Sequence, residues 1–289
     1  MAKQKEDKKN LGESVRQRLK NLAKERQRPF DELLRYYAME RFLFRLSISA
    51  HASKFFLKGG LMLKVWNELD HRATMDIDLL AGTSNRIENL QAIIVDVASI
   101  ACSGDAMLYN TSNLILRETQ TGGNYQGVCA SFSAQLHTAR IPLIIDIGFN
   151  DCVIPAPAKI DYPTLLDMER PQLMGYTPET VFAEKLESIV KLSMINTRMK
   201  DFYDLWTLSR AELNLPILRK AIETVFENRG TPLSFPIVSF TSEFYDAPRT
   251  QQLWKAFLKG LGREDPELKI VVSDLQAYVE GFLLPTSQG

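Results

Sequence analysis

The spacing of apolar residues along the chain predicts a succession of helices. Pro29 separates a basic helix near the N-terminus from a more apolar one. Thr177, Pro178 and Glu179 favour the start of a later helix, with Thr177 as its N-cap and Pro178 in its first turn. The predicted helices are 11–27, 31–49, 61–69, 86–100, 179–193, 200–212, 217–228, 250–260 and 269–283.

Strand-type patterns lie in the first half of the chain. They are short apolar runs and segments of alternating character, at 55–57, 75–80, 114–119, 128–136 and 141–149. Thr-Gly-Gly-Asn at 121–124 is typical of a hairpin turn, and three prolines predict a linker or domain seam over 150–175. The patterns therefore predict an α+β protein. Its parts are a basic N-terminal arm or helix (1–28), an α/β domain (29–160) and a helical C-terminal domain (161–289).

Composition narrows the class of protein. Hydrophobic residues make up 45% of the 289 positions, and no apolar run approaches the roughly 18 residues of a membrane span. The three cysteines are far apart and odd in number, so they indicate neither a disulfide framework nor a metal site. The three histidines have no ligand spacing, which argues against a zinc enzyme. We expect a cytoplasmic protein with no membrane partner and no secretory signal.

Positive charge is concentrated at the N-terminus. Residues 1–28 contain ten Lys or Arg and four Asp or Glu, a net charge of +6, while the whole chain has a net charge of zero. A basic segment of this kind favours a polyanionic partner such as RNA. The alternative is a solubilising and partly disordered terminus with no ligand.

Three acidic residues interrupt apolar strand patterns. Asp76 and Asp78 are two positions apart, so in a strand they project from the same face and repel each other unless a cation lies between them. Mg²⁺ or Mn²⁺ suits such oxygen ligands. Asp146 lies in a later apolar strand, and we expect it to complete the metal site or to act as a general base. The alternatives are a surface Asp-x-Asp pair and an edge-strand acid that faces water or caps a turn with Gly148.

Phosphate-binding features precede these acids. Gly59 and Gly60 lie just before a predicted helix, where missing side chains let phosphates approach backbone N–H groups. Arg72 could also contact phosphate. Each feature is weak alone. The features follow one another in the order strand, Gly-Gly, helix, strand with Asp-x-Asp, and later acid. This order indicates a nucleotidyltransferase in which two metal ions bridge to a triphosphate.

The helical half carries a second charged group. Lys185 could reach a phosphate as a point charge, and Asp201 with Asp204 shares one face of a predicted helix. Arg198 and Lys200 immediately precede these acids, and this cluster of cations and acids at the helix start can pair with Lys185 or with the substrate. Ordinary helix-terminus charge explains these residues equally well on spacing alone. The aromatic residues of the same helix (Phe202, Tyr203 and Trp206) could stack a base, but core packing is favoured.

Taken together, these segments resemble the AbiEii/AbiGii-type nucleotidyltransferase toxins, the toxin halves of type IV-like bacterial toxin–antitoxin and phage-abortive systems. The resemblance runs over residues 30–210 and is specific in the order and spacing of its pieces. Those pieces are Tyr-Tyr-Ala-Met-Glu-Arg-Phe-Leu at 36–43, Phe-Leu-Lys-Gly-Gly at 56–60, Arg-Ala-Thr-Met-Asp-Ile-Asp-Leu at 72–79, Ile-Asp-Ile-Gly-Phe at 145–149, Glu-Thr-Val-Phe-Ala-Glu-Lys at 179–185 and Arg-Met-Lys-Asp-Phe-Tyr-Asp-Leu at 198–205.

The resemblance implies a DNA polymerase β-like nucleotidyltransferase core with a helical C-terminal region. Asp76 and Asp78 would be metal ligands, and Lys185 and Asp201 catalytic or substrate-positioning residues. The donor would be a nucleoside triphosphate, the acceptor the 3′ end of tRNA, and the partner a cognate antitoxin of the AbiEi type with a DNA-binding domain. The wider superfamily usually has Gly-Ser where this chain has two glycines, so a phosphate contact would move to Thr74 or Arg72.

Three functional hypotheses follow. In the leading one, an Mg²⁺-dependent enzyme transfers a nucleoside monophosphate from a triphosphate to RNA, releases pyrophosphate and, at the tRNA 3′ end, blocks translation. In the second, the same fold modifies a protein hydroxyl or a small molecule such as an aminoglycoside. In the third, the chain is a non-catalytic module that binds a nucleotide or a partner.

Overall fold

The chain divides into two units in the computed structural model, which describes residues 2–67, 72–121 and 125–284. The first unit comprises Met1–Asn150 with Ala158–Gly175, and the second comprises Asp151–Pro157 with Tyr176–Gly289. The glycines and the asparagine of the predicted hairpin turn, and the last two residues of the helix predicted at 61–69, lie outside the described residues.

Helices of the first unit lie close to where apolar spacing predicts them, except that α1 begins well before its predicted start at residue 11. They are α1 (Ala2–Glu25), α2 (Phe30–Ser47), α3 (Gly60–Trp66) and α4 (Ile87–Ser99). Val15, Leu19 and Ala23 recur every four residues along α1 and are all buried in the core. The second half of the basic N-terminal segment is thus a helix packed on one face, with its cations on the other face.

The strands of the first unit form one mixed sheet. They are β1 (Phe55–Lys58), β2 (Ile77–Ala81), β3 (Met107–Thr121), β4 (Tyr125–Leu136), β5 (Ala139–Phe149), β6 (Ala158–Asp161) and β7 (Gln172–Gly175). Their order is β3-β4-β5-β2-β1-β7-β6; β1 and β7 are parallel, as are β2 and β5, and the other pairs are antiparallel.

Two of these strands correct the sequence interpretation. The prediction that prolines break regular structure throughout 150–175 is wrong for β6 and β7, which pair with each other at the edge of the sheet. Pro155 and Pro157 precede β6, and Pro163 lies between the two strands. Both strands are only four residues long, too short for an alternation pattern to be recognised against neighbouring prolines.

The two faces of the sheet have different environments. On β2 and β5, Ile77, Leu79, Ile145 and Ile147 are buried in the same core cluster as residues of α2 and α4. The residues between them point to the opposite face because side chains alternate along a strand. This alternation places acidic residues of β2 and β5 on the face that does not carry the helical core.

The second unit is helical. Its helices are α5 (Pro178–Leu192), α6 (Met199–Leu208), α7 (Leu215–Arg229), α8 (Ser242–Tyr245), α9 (Pro248–Gly260) and α10 (Leu268–Leu283). Phe202 of α6 is fully buried and stacks on Phe244, with ring centroids 5.4 Å apart. Tyr203 is also buried, which confirms core packing for these two aromatics, whereas Trp206 is half-buried. Within the described residues, no helix combines the length and apolar character needed to cross a membrane.

The start of α5 is only partly as predicted. Pro178 occupies the first turn of the helix, as expected. Thr177 has the extended backbone of an N-cap, but its side chain makes no capping hydrogen bond, and its hydroxyl lies 3.5 Å from that of Thr180. Thr177 therefore occupies the predicted N-cap position without the side-chain hydrogen bond that often accompanies it. Thr180 is itself bonded to the carbonyl of Ile154, which fixes this end of α5 to the preceding segment of the same unit.

Candidate active site

Three carboxylates meet on the sheet face opposite the helical core. Asp78 on β2 is paired in register with Asp146 on the parallel strand β5, and Asp76 lies in the bend just before β2. Oxygen atoms of the three side chains all lie within 4.8 Å of one another, and all three residues are half-buried. Like charges at this separation repel strongly unless a cation neutralises them. The structure thus brings together all three predicted metal ligands.

The glycine pair makes room for one of these carboxylates. Gly59 has a φ of +66°, and a Cβ built there would lie 2.0 Å from Oδ2 of Asp78. A Cβ on Gly60 would lie 2.7 Å from Oγ1 of Thr74 and 3.5 Å from Nη2 of Arg72. Side chains of Asp78 and Thr74 therefore occupy the space that the absent methyl groups leave. The glycines allow the β1–α3 turn to approach the carboxylates closely.

The segment before β2 is held by hydrogen bonds from two sides. The hydroxyl of Thr74 donates to Oδ1 of Asp76 at 2.7 Å. The Tyr36 hydroxyl of α2 accepts from the backbone N–H of Thr74 at 3.0 Å and donates to the carbonyl of Arg72 at 3.3 Å. Burial raises the pKa of Tyr36 to about 12, so the phenol keeps its proton and its donor role at neutral pH. These bonds fix the position from which Asp76 projects.

Cys129 extends the polar site onto the next strand. It is paired in register with Asp146, so its side chain projects from the same face of the sheet as that carboxylate. Burial raises the pKa of Cys129 to about 11, with the neighbouring Asp146 carboxylate as a further cause. The thiol is therefore protonated near neutral pH and adds no further charge beside the carboxylates.

The charged residues predicted in the helical half form a cluster in the second unit. Nζ of Lys185 lies 2.9 Å from Oδ1 of Asp201 and 2.7 Å from Oδ2 of Asp204. Nε of Arg198 lies 2.7 Å from the second oxygen of Asp201. Both acids are almost fully buried, whereas Lys185 retains 11% of its side-chain exposure and Arg198 44%. Lys200 is half-buried in the first turn of the same helix.

Spacing along the chain located most of these residues and missed two. Asp76, Asp78 and Asp146 converge, and Gly59, Gly60, Arg72 and Thr74 surround them in the first unit. Tyr36 and Cys129 were assigned no role because each reaches the site only through long-range packing or strand pairing. Asp204 belongs to the charged cluster that was expected to pair with Lys185, and its contact with Lys185 joins α6 to α5.

The donor set of the first unit suits a divalent cation. Three carboxylate oxygens form a hard, anionic group of the kind that Mg²⁺, Mn²⁺ or Ca²⁺ binds. A Cβ at Gly59 would occupy space that the Asp78 side chain fills, so the absence of a side chain at Gly59 allows the three carboxylates to converge. The residues present therefore fit a divalent metal site.

Comparisons with known proteins give one family and a related fold. The profile of the family described as nucleotidyl transferase AbiEii toxin, type IV toxin–antitoxin system, matches residues 41–281. Among solved structures, the chain is similar to MenT4, a nucleotidyltransferase toxin from Mycobacterium tuberculosis H37Rv. The TM-score is 0.54 at 15% identity, over 92% of this chain and 88% of the other.

A second structure, JHP933 from Helicobacter pylori, gives a TM-score of 0.46 at 12% identity, over 86% of this chain and 94% of the other. No curated protein matches this chain. The MenT4 likeness covers almost the whole chain. It confirms the predicted α+β class, with a nucleotidyltransferase core and a helical C-terminal region.

Proposed function

The chain belongs to the AbiEii family of nucleotidyl transferase toxins of type IV toxin–antitoxin systems, and from this premise we propose that it transfers a nucleoside monophosphate to the 3′ end of an RNA, with tRNA as the acceptor. The observation that carries the proposal is the convergence of Asp76, Asp78 and Asp146 beside the Gly59 turn. Nucleotidyl transfer needs charge stabilisation around a triphosphate, and a carboxylate group of this kind provides the anchoring point.

We assign the three carboxylates to hold Mg²⁺, with Mn²⁺ as a substitute. When bound, the metal would neutralise the carboxylates and polarise the phosphate oxygens of the nucleotide. Thr74 then has a defined task, because its hydroxyl holds Oδ1 of Asp76 at 2.7 Å and limits the rotation of that ligand.

The triphosphate lies, in this proposal, on the β1 side of the carboxylates. Arg72 comes close to Gly60 there, and its planar guanidinium is suited to bind phosphate oxygens in pairs. Thr74 lies next to it but already donates its hydroxyl to Asp76. We therefore assign the phosphate contact of this segment to Arg72 and to the backbone N–H groups of the Gly59-Gly60 turn.

The proposed reaction balances as a single displacement. The 3′ oxygen of the acceptor forms a bond to the α-phosphorus, and the bond from that phosphorus to the β-phosphate oxygen breaks. Pyrophosphate leaves with the electron pair, and the hydroxyl proton passes to Asp146 as general base. Addition of a nucleotide to the tRNA 3′ end prevents its aminoacylation, so translation is blocked.

We propose that the Lys185 cluster takes part in this reaction. Lys185 is partly buried and paired with two acids, so its ammonium is held in one place rather than moving in solvent. A fixed cation of this kind can neutralise a phosphate charge, while Asp201 sets its position. Arg198 and Lys200 lie at the start of α6 and are assigned to further phosphate contacts.

The family carries a further implication for partners. A type IV toxin works against an antitoxin, and a nucleotidyltransferase takes a nucleotide substrate. We propose that the antitoxin is of the AbiEi type, with a DNA-binding domain, and that it is encoded with this chain. Co-expression of such an antitoxin should restore growth to cells in which this chain is expressed.

The proposal is tested with purified protein, total tRNA, Mg²⁺ and each α-³²P-labelled nucleoside triphosphate in turn. Label should appear in a tRNA-sized band with at least one triphosphate. It should not appear when the 3′-terminal diol of the tRNA has been oxidised by periodate, because the attacking hydroxyl is then lost. Label in protein or in small molecules, with none in RNA, would overturn the RNA acceptor and leave the transferase assignment in place.

A further inference from the structure

A row of five side chains crosses the sheet through the carboxylate site, and it begins with Lys58 on β1, which is in register with Asp78. Asp78 is in register with Asp146, Asp146 with Cys129, and Cys129 with Arg117 on β3. Residues paired in this way project from the same face of a sheet. Because neighbouring strands are about 4.8 Å apart, the backbone of Arg117 lies roughly 10 Å from that of Asp146. A cation therefore stands on the same face as the carboxylates, two strands away.

This part of the face is open. Arg117 is exposed, and so is Ile115, which keeps 49% of its surface accessible. Within the described part of the chain, Arg117 makes no hydrogen bond or ion pair. We call the sheet face that carries the carboxylates the outer face. The β4 residues on this face next to the site are small: Gly127, Cys129 and Ser131. Because these side chains are small, the surface between the carboxylates and the guanidinium is shallow.

The opposite face offers no such surface. Leu116 is in register with Ala130, which is fully buried in the core. The neighbouring acid, Glu118, is paired with buried Val128 and so projects away from the row. The only acid on the outer face of β3, β4 and β5, among residues with described side chains, is Asp146. A polyanion bound to this surface would contact the Arg117 cation and no negative charge other than the carboxylates.

We propose that Arg117 binds a backbone phosphate of the acceptor RNA next to its reacting 3′ end. The inference rests on the proposed function, which assigns the triphosphate to the other side of the carboxylates, where Arg72 approaches Gly60. The acceptor then comes from the β4 and β3 side. A guanidinium matches a phosphate with two parallel hydrogen bonds. The same charge disfavours a polycationic acceptor such as an aminoglycoside, so Arg117 selects for a nucleic acid.

Arg117→Ala is the test variant, Arg117→Lys the conservative variant and Arg86→Ala the matched control. Arg86 is also exposed and lies at the start of α4, so its loss removes the same charge elsewhere in the same unit. Binding of a short single-stranded RNA is measured by fluorescence anisotropy over a range of salt concentrations. Nucleotide transfer is measured as a function of RNA and of triphosphate concentration. Thermal unfolding establishes that each variant is folded.

We expect Arg117→Ala to weaken RNA binding about tenfold and to raise the KM for RNA similarly, with the KM for the triphosphate unchanged. The slope of log affinity against log salt should become shallower by about 0.7, the value for one phosphate contact on a single strand. Arg117→Lys should recover part of the affinity because it keeps the charge but not the paired geometry. Arg86→Ala should match the wild type.

Equal RNA affinity and equal salt slope for the Arg117→Ala and Arg86→Ala variants would overturn the inference, as would a wild-type protein that binds no RNA. Failure of the proposed function looks different. In that case the wild type binds RNA with a contribution from Arg117 but transfers no nucleotide to it under any condition.

Discussion

A Cβ atom on Gly59 would lie 2.0 Å from Oδ2 of Asp78, closer than any non-bonded contact allows. The turn between β1 and α3 and the carboxylate on β2 are therefore adapted to each other. The backbone of Gly59 also has a positive φ of +66°, which a residue with a side chain adopts only with strain. The glycine is required for the geometry of the carboxylate site, whatever its contact with the nucleotide.

Gly59→Ala should displace Asp78 and disrupt the metal site. We expect Mn²⁺ affinity, measured by calorimetry, to fall at least tenfold and nucleotide transfer to fall by two orders of magnitude or more. Gly104→Ala is the matched control, because a Cβ there meets no atom within 4 Å. Wild-type metal affinity in the Gly59→Ala protein would show that Asp78 is not held by this turn.

Thr74→Val should lower activity by removing one hydrogen bond while keeping the side-chain shape. The Thr74 hydroxyl donates to Asp76 at 2.7 Å, and the residue is buried, so the lost donor is not replaced easily by water. We expect about a tenfold loss of kcat and a lower affinity for Mg²⁺, measured in a magnesium titration. Thr74→Ser keeps the hydroxyl and should remain near wild type; equal losses in both variants would point to packing instead.

Lys185→Met should abolish transfer if the cluster acts on phosphate. The substitution also leaves Asp201 and Asp204 buried with one cation fewer, so a loss of about 3 kcal/mol in unfolding free energy is expected as well. Kinetics at a temperature where the variant is folded separate the two effects. The control is Lys191→Met on the same helix, where the lysine is exposed and 4.0 Å from Glu187. Normal kcat in folded Lys185→Met protein would assign the cluster a purely structural role.

Glu40 should make the first unit less stable as pH rises from about 4.5 to about 7. The residue is fully buried, and burial raises its pKa to about 7 despite Nζ of Lys64 at 3.8 Å and an N–H bond from Leu165. A raised pKa means that the folded state binds the proton more tightly than the unfolded state. The stabilisation is thus complete below the unfolded value and is lost as pH rises through the folded value.

This effect is measured by urea unfolding of the wild type and of Glu40→Gln at pH 5 and pH 7. The wild type should lose on the order of 2 kcal/mol between these values from this group, whereas the variant should show a flatter profile. Parallel profiles for the two proteins would show that Glu40 does not titrate in this range.

Much of this architecture could be predicted from local patterns. Alternation in β5 isolates Asp146 between Ile145 and Ile147, and Asp-x-Asp before and in β2 identifies the other two acids. Both signals lie within a few residues of chain. The short strands β6 and β7 escaped prediction because prolines surround them and neither is long enough to show a period.

Contacts between distant segments could not be predicted in the same way. The bond from Tyr36 to the Arg72–Thr74 segment joins α2 to the approach to β2, and the Cys129–Asp146 pair depends on the register of two long strands. Strand register is decided by which faces are buried, so it emerges only when the whole sheet is assembled. The position of Arg117 in the row has the same origin.

The measurement that tests the central claim most directly is transfer of label from an α-³²P-labelled triphosphate to tRNA by the wild type and by Asp78→Asn. The variant keeps the shape of the side chain and removes one of the three converging charges. Asp161→Asn, at an exposed position of β6, is the control. We predict label in tRNA from the wild type and the control and at least a thousandfold less from Asp78→Asn, with all three proteins folded. Undiminished transfer by folded Asp78→Asn would contradict the assignment of this carboxylate group as the catalytic centre.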